Sequence, residues 1–141
     1  MVDMTADEGH PLGYLLTRVA TELRTEVTAA VLDPIGLSFP QYVCMRILSH
    51  SPGRSNAELA RDVNVSPQAM NIVVRSLQER GLVVRPASVS SGRSLPAELS
   101  REGAALLASI DAGVRDAEAK VLAPLDQKDQ HHLRRLLANL T

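Results

Sequence analysis

The alternation of hydrophobic and polar positions predicts a mostly α-helical chain with one short β-hairpin. The first predicted helix opens at Pro11 and runs to a helix-breaking segment at residues 33–36. Its apolar residues recur every three or four positions, which is the spacing of one helical face. This narrow stripe is longer than one small domain covers, so we expect it to pack against a second chain. Its residues are Leu12, Leu15, Leu16, Val19, Leu23, Val27, Ala30 and Val31.

Two short capped helices, about one turn apart, form the centre of the sequence. Ser55 and Glu58 have the spacing of a capping box, in which each side chain pairs with the other residue's backbone amide. Ser66 is the next N-cap, and Pro67 follows at the first helical position, where a missing N–H does no harm. Because the connector at residues 64–65 permits only a tight corner, this pair predicts a helix-turn-helix.

The second helix of this pair has one apolar face and one polar face. Its apolar residues, Met70, Val73, Val74 and Leu77, follow the spacing of a buried stripe. Gly81 suits the left-handed position just after the helix. The side chains off the stripe are able to hydrogen-bond base edges or phosphates. They are Gln68, Asn71, Arg75 and Gln78.

A strand, a polar loop and a returning strand follow, which predicts a two-stranded wing. Residues 82–85 are rich in β-branched side chains, and residues 86–92 form the loop. Alternating apolar positions in residues 95–99 give the returning strand one buried face. Pro96 favours an edge strand, because proline donates no hydrogen bond to a ladder.

Further helices flank this winged segment. Ser38 caps a helix from Phe39 to about Ser49 whose apolar residues lie on both sides, which indicates a buried strut. Ser100 caps a long fifth helix that Pro124 ends, and Asp126 caps the last helix. The apolar face of the last helix consists of Leu133, Leu136, Leu137 and Leu140.

Together these elements predict a winged helix-turn-helix joined to a dimerisation lobe of long helices. We expect residues 37–99 to form the DNA-binding lobe, and residues 10–36 and 100–141 to form the dimerisation lobe. Residues 1–9 are polar and acidic, so we expect them to be disordered. Long helices at both ends of the sequence have apolar faces that are hard to bury in a monomer.

The charge distribution fits modest binding to DNA. The chain of 141 residues has a net charge of −1, yet seven arginines stand against four acidic residues between Arg54 and Arg101. No aromatic residue lies between Ala57 and Arg101, which argues against stacking of single-stranded bases. The sequence has no signal-like start and no run of about 20 apolar residues. We therefore expect a cytoplasmic protein with no membrane partner.

The plan resembles that of the MarR family of bacterial transcriptional regulators over about residues 11–140. The matching stretches in the first three helices are G-Y-L-L-T-R-V, L-S-F-P-Q-Y and S-N-A-E-L-A. V-S-P-Q-A-M-N opens the fourth helix, L-Q-E-R-G-L-V leads into the wing, and S-G-R-S-L-P-A-E-L-S-R-E-G leads out. The occurrence of E-R-G-L-V, G-R and L-S-x-x-G in one chain is the more specific signal.

The resemblance implies an obligate homodimer on pseudo-palindromic double-stranded operators, released when a small phenolic or lipophilic ligand, or an oxidant, acts on it. It implies that the wing arginine, Arg93, enters the minor groove and that the fourth helix contacts the major groove. The candidate DNA-binding residues are Ser55, Ser66, Pro67, Gln68, Asn71, Arg75 and Arg93. The candidate dimer-interface residues are Leu12, Leu15, Leu16, Val19, Leu133, Leu136, Leu137 and Leu140.

Three positions depart from the family pattern. Ser91 stands where an acidic residue often braces the wing. Ile72 stands where arginine is frequent, and Arg75 and Ser76 stand where an acid and then an arginine are frequent. We therefore expect a different distribution of phosphate contacts.

The family's effector pocket lies between the first two helices and the DNA-binding lobe, which makes Tyr14, Tyr42 and Arg46 candidate ligand contacts. Arg46 lies one turn after Tyr42 and is able to hold a carboxylate with two hydrogen bonds. The sequence favours the structural alternative, in which the tyrosines belong to the core and Arg46 forms an intrachain ion pair.

A single cysteine and a histidine pair raise two other chemistries. Cys44 lies in an apolar helix with no assignable basic neighbour, which favours a core thiol over an oxidation sensor. His131 and His132 point about 100° apart on a helix and lack a cluster of further ligands. We expect a solvated face there and no metal site.

We interpret the protein as a ligand-responsive DNA-binding repressor. The alternative is a winged-helix module that binds protein and no specific DNA. An enzyme is disfavoured, because the sequence has no nucleophile near a His/Asp pair, no phosphate-binding glycine loop and no metal-ligand spacing. We expect no catalytic residue and no cofactor.

Overall fold

The computed structural model describes residues 9–85 and 96–141, and the structural statements below concern those ranges. The helices are α1 (Leu12–Val27), α2 (Phe39–His50), α3 (Asn56–Val63), α4 (Pro67–Glu79), α5 (Arg101–Val121) and α6 (Gln127–Leu140). Two strands, β1 (Val83–Val84) and β2 (Glu98–Leu99), lie between α4 and α5. This order confirms the predicted fold class. Disorder is expected for residues 1–9; all of these except Gly9 lie outside the described residues, as does the predicted wing loop.

The chain forms two compact units. The helical unit consists of Met1–Val31 and Gly113–Thr141, and the winged unit consists of Leu32–Ala112. The winged unit is larger than residues 37–99, because the start of α5 packs within it. Ser100 donates from its hydroxyl to the Gly81 carbonyl, and Asp111 pairs with Arg46. These long-range contacts attach the first half of α5 to the rest of the winged unit.

Side-chain caps begin α2 to α6 where the sequence predicts them, whereas Pro11, before α1, makes no such bond. Ser38 forms a capping box with Gln41, since each side chain accepts from the other residue's N–H, at 3.2 and 2.8 Å. The Ser100 hydroxyl accepts from the Gly103 N–H at 3.0 Å, and the Asp126 carboxylate accepts from the Asp129 N–H at 2.8 Å. Each cap satisfies an amide that has no partner inside its helix.

The core of the winged unit lies beneath α2, α3 and α4. The predicted strut, α2, buries Cys44, Met45 and Leu48 and leaves the remaining apolar side chains half-buried. The other side chains that are at most 2% exposed in this unit are Leu32, Leu37, Leu59, Ala60, Met70, Val74, Leu77, Val83 and Ala97. The apolar stripe predicted for the fourth helix is therefore the face that anchors it.

The returning strand has neighbours on both sides, so the expectation of an edge strand is wrong. Val83 pairs with Leu99 and Val84 with Glu98 in an antiparallel ladder. On the other side, the Ala97 N–H donates to the Arg54 carbonyl at 2.9 Å. Pro96 does not prevent this pairing, because the donor belongs to the next residue.

The first helix ends sooner and less regularly than its apolar spacing predicts. α1 ends at Val27, a π-helical turn covers Thr28–Leu32, and a 3₁₀ turn covers Asp33–Ile35. Pro34 cannot donate to a helical ladder, and Gly36 then adopts the left-handed conformation with φ of 66°. The predicted break at residues 33–36 is confirmed, but the preceding π-helical turn has no signal in the spacing.

The helical unit is built from α1, α6 and the second half of α5. Val27, Val114 and Ala117 form its buried centre. At its surface, Arg134 pairs with Glu118 at 3.0 Å and Lys120 pairs with Glu26 at 3.5 Å. None of the described helices has the length and apolar character needed to cross a membrane.

Gly103, near the start of α5, allows the packing of α5 within the winged unit to be tested. A Cβ added there would overlap the backbone carbonyl of Leu82. Because this group belongs to the backbone, it cannot move aside as the end of a flexible side chain can. We expect Gly103→Ala to lower the free energy of unfolding by about 1–3 kcal/mol, although alanine is the better helix former. Urea denaturation at one fixed protein concentration measures the change.

The matched control is Gly13→Ala in α1, where an added Cβ meets no atom within 4 Å. Gly13→Ala should leave stability unchanged or raise it by up to about 1 kcal/mol. Equal stability of the two variants would contradict the close approach of α5 to Leu82.

Candidate nucleic-acid interface

Helix α4 separates an anchoring face from a face of hydrogen-bonding groups. The anchoring side chains are Met70, Val74 and Leu77, which are at most 1% exposed. Gln68, Asn71 and Arg75 are exposed, as their positions off the apolar stripe predict. An amide side chain is able to pair with adenine in the major groove, and a guanidinium is able to pair with guanine. The exposed face thus has the chemistry of a base-reading helix.

The corner between α3 and α4 fixes the direction of that helix. Asn64 adopts the left-handed conformation with φ of 61°, which asparagine tolerates better than most residues. The Val65 N–H then donates to the Ala60 carbonyl at 3.0 Å. Asn56 of α3 donates from Nδ2 to the Pro67 carbonyl at 3.1 Å, which ties the two helices together. The helix-turn-helix that the caps predict is present.

Ser55 and Ser66 have structural roles at this corner. Ser66 Oγ accepts from the Ala69 N–H at 3.1 Å. Ser55 forms the predicted capping box with Glu58, at 3.2 and 3.1 Å. The Ser55 backbone N–H, and then its side chain, hold the pKa of Glu58 below its usual range. Each serine hydroxyl keeps its own hydrogen for donation, so contact with phosphate stays a prediction for both.

Internal pairing reduces the positive charge that faces solvent. Arg54 makes a two-pronged contact with Asp62 at 2.9–3.1 Å and a further bond with Glu58 at 2.8 Å. Arg80 donates to the carbonyls of residues 35 and 36 at 3.0 and 2.9 Å. Asp62 and Glu58 thus offset the charge of Arg54, whereas the backbone bonds of Arg80 hold its side chain in place and leave its charge. The other exposed arginines described in this region are Arg61, Arg75 and Arg101.

Strands β1 and β2 form the base of the predicted wing. Val84 is exposed beside Glu98, whereas Val83 on the opposite face is buried. Arg93, predicted to enter the minor groove, and Ser91, where the family's acidic brace is missing, lie outside the described residues. Their roles stay predictions.

Two of the three candidate effector contacts meet in the winged unit. Arg46 Nη2 donates to Asp111 Oδ1 at 2.8 Å and to the Tyr42 hydroxyl oxygen at 3.1 Å. The guanidinium carbon also lies 5.2 Å from the centroid of the Tyr42 ring. The intrachain ion pair that the sequence favours for Arg46 is confirmed. Its partner, 65 residues away, had no signal in the sequence.

The third candidate, Tyr14, belongs to the helical unit. It is half exposed, with its ring centroid 5.3 Å from that of His10 and 5.8 Å from the Arg18 guanidinium carbon. Tyr14 is therefore not part of the core of a single chain. An effector-binding role for Tyr14, Tyr42 and Arg46 stays a prediction.

Cys44 is fully buried in α2. Burial raises the pKa of its thiol to about 11, and Arg85 opposes part of that rise. The thiolate that reacts with oxidants is therefore scarce at neutral pH. Arg85 supplies the basic neighbour that the sequence did not identify, but burial outweighs its effect, in keeping with a core thiol.

The histidine pair lies on the exposed surface of α6. His132 Nδ1 and Arg135 Nη2 are 2.8 Å apart. Within residues 9–85 and 96–141, no group of three or more His, Cys, Asp or Glu side chains is arranged to hold a metal ion.

The helical unit exposes most of the side chains predicted for the dimer interface. Leu12 is 68% exposed and Leu140 is 76% exposed, although both belong to apolar stripes. The same group includes Leu16, Val19, Leu136 and Leu137, whereas Leu15 and Leu133 are half-buried. These stripes are unburied within one chain.

Comparison with known proteins gives concordant matches. The model of the MarR family matches residues 37–95. The HTH-type transcriptional repressor Rv2887 of Mycobacterium tuberculosis (strain ATCC 25618 / H37Rv) is 57% identical over 130 residues, with 92% of this chain and 93% of the relative covered.

Two solved structures of the Mycobacterium tuberculosis MarR family protein Rv2887 also match. The complex with salicylic acid has a TM-score of 0.78 and 56% identity, and covers 94% of this chain and 97% of that chain. The complex with DNA has a TM-score of 0.76 and 50% identity, with 93% and 98% covered. The similarity therefore extends well beyond the winged segment.

Proposed function

The chain belongs to the MarR family, and we propose that it is a homodimeric repressor that binds a pseudo-palindromic operator and leaves it when a small aromatic carboxylate binds. The observation that carries this proposal is the exposed face of α4. Gln68, Asn71 and Arg75 stand there above a buried stripe, on a helix whose direction the Asn64 corner fixes. The relative's name as a repressor and its complex with DNA support it.

Operator binding requires two copies of this face. A single copy has few exposed arginines, and phosphate neutralisation supplies a large share of the affinity of DNA-binding proteins. A two-fold dimer places two α4 helices in successive major grooves, about 10 bp apart. The exposed leucines of α1 and α6 offer the apolar surface for that dimer.

The proposed effector is a small aromatic carboxylate. Its chemistry follows from the salicylic acid complex of the relative. In this chain, Arg46 and Tyr42 offer a guanidinium and an aromatic ring that are both partly exposed. An effector carboxylate would compete with Asp111 for the Arg46 guanidinium. Release of DNA then requires that the effector binds the DNA-free conformation more tightly than the DNA-bound one.

The proposal involves binding and no catalysis. A chromosomal repressor acts where bacterial DNA is, so we propose a cytoplasmic location. The competing function, a winged-helix module that binds only protein, would be supported if the chain binds no duplex at low salt.

Selection of bound sequences from random duplexes, followed by affinity measurement, tests the DNA-binding proposal. We expect a palindromic consensus, and we expect Arg75→Ala and Arg93→Ala each to weaken binding to it by about 1–3 kcal/mol. Arg115→Ala, which removes an exposed arginine of the helical unit, is the control. Unchanged affinity of both test variants at matched salt would contradict the assigned interface.

The dimer assignment is tested with Leu136→Glu, in the helical unit. Each of the two symmetry-related sites would lose roughly 1.5–3 kcal/mol of leucine burial, so dissociation should become measurable by analytical ultracentrifugation. Ile72→Glu places the same charge on an exposed apolar position of the winged unit and should leave the dimer intact. Equal dissociation of the two variants would argue against an interface at α6.

Effector action is tested by adding salicylate to the protein–operator complex. We expect release with salicylate and none with salicylamide, which lacks the charge. Arg46→Lys keeps the charge but loses the planar fork, so it should raise the salicylate concentration for half-release. Asp111→Asn weakens the competing ion pair and should lower that concentration. The same shift in both variants would contradict competition for Arg46.

A further inference from the structure

One large apolar side chain stands on the polar face of α4. Ile72 is 69% exposed, whereas the anchoring side chains of the same helix are at most 1% exposed. Single exposed apolar residues are common on protein surfaces and need no explanation by themselves. The position of Ile72 on the polar face of α4, rather than its exposure alone, points to a function.

Ile72 lies among the base-reading candidates. It follows Gln68 by four residues and precedes Arg75 by three, and residues at these spacings are neighbours on one helical face. All three side chains are exposed. A binding partner whose surface contacts both Gln68 and Arg75 therefore also contacts Ile72. The fold of the winged unit makes no use of this side chain, since its core lies beneath the opposite face of α4.

On the basis of the proposed operator binding, we propose that Ile72 contacts the C5-methyl group of a thymine in the major groove and so determines specificity at one position of each half-site. Thymine is the base whose major-groove edge carries an apolar group. Bringing the methyl group and the isoleucine together removes apolar surface from water. A β-branched side chain in a helix has one strongly preferred χ1 rotamer, so little ordering is needed on contact.

This contact also disfavours the other pyrimidine. Cytosine presents an N4 amino donor at the place where thymine presents a carbonyl acceptor. Isoleucine pairs with neither of these polar groups, so the preference between the two pyrimidines rests on the C5-methyl group, which cytosine lacks. The operator position opposite Ile72 should therefore prefer thymine, with discrimination that arises from an apolar contact and a neighbouring polar reader.

The test replaces each thymine pair of the selected consensus, in turn, with deoxyuridine, which lacks only the methyl group. For the natural chain we expect one symmetry-related pair of positions to show weaker binding, by about fourfold for each methyl group lost. For Ile72→Ala, which retains a good helix former at an exposed position, the same replacement should have no effect at that pair. Circular dichroism checks that the variant is folded.

Val84→Ala is the matched control, because Val84 is an exposed apolar residue of the same unit outside α4. It should keep the full uracil penalty. The inference is overturned if no thymine pair is sensitive to uracil, or if Ile72→Ala keeps the penalty of the natural chain. Failure of the natural chain to bind any duplex would instead overturn the proposed function, so the two failures are distinct.

Discussion

The left-handed corner at Asn64 is the constraint on which the proposed DNA-reading surface depends. It ends α3 and turns the chain so that Ser66 begins α4 two residues later. The hydrogen bond from Asn56 to the Pro67 carbonyl then links the start of α4 to α3. With that end fixed, burial of the apolar stripe sets the rotation of α4 about its axis. The fixed start of α4 and its rotation together determine which of its side chains face outward.

The outward face of α4 has several hydrogen-bonding side chains but little charge. Arg54 is paired with two carboxylates and Arg80 with backbone carbonyls, so two arginines of this region stabilise the fold. We therefore expect a single copy to bind phosphates weakly. Joining two copies makes the second contact intramolecular, and the effective concentration that results raises affinity without any new contact. In the proposed dimer, the apolar helical unit would in this way compensate for the low charge of the winged unit.

Local chemistry explains which parts of the structure were predictable from sequence. The caps at Ser38, Ser55 and Ser66 act within three residues, so their spacing alone identifies the helix starts. The α4 stripe and the exposure of Asn71 and Arg75 follow from helical periodicity. The position of Ile72 off the buried stripe follows from the same periodicity, and the family pattern often has arginine there, but an apolar residue type gives no local signal of exposure.

Contacts between distant residues explain what the sequence did not predict. The Arg46–Asp111 pair and the pairing of Ala97 with Arg54 join segments that are far apart in sequence. The limits of the winged unit depend on such contacts, since they determine how much of α5 belongs to it. The π-helical turn at Thr28–Leu32 leaves the apolar spacing helical, so periodicity does not detect it.

Helix α5 contributes residues to both units. It is a single helix, and it passes from the winged unit to the helical unit between Ala112 and Gly113. Asp111, the partner of Arg46, lies just before that crossing. An effector carboxylate that displaces Asp111 from Arg46 would therefore break the ion pair that links α5 to α2. This ion pair lies at the last turn of α5 inside the winged unit. If two arrangements of the units differ in this contact, the ligand stabilises one of them by its differential affinity, and operator affinity changes by the same coupling free energy.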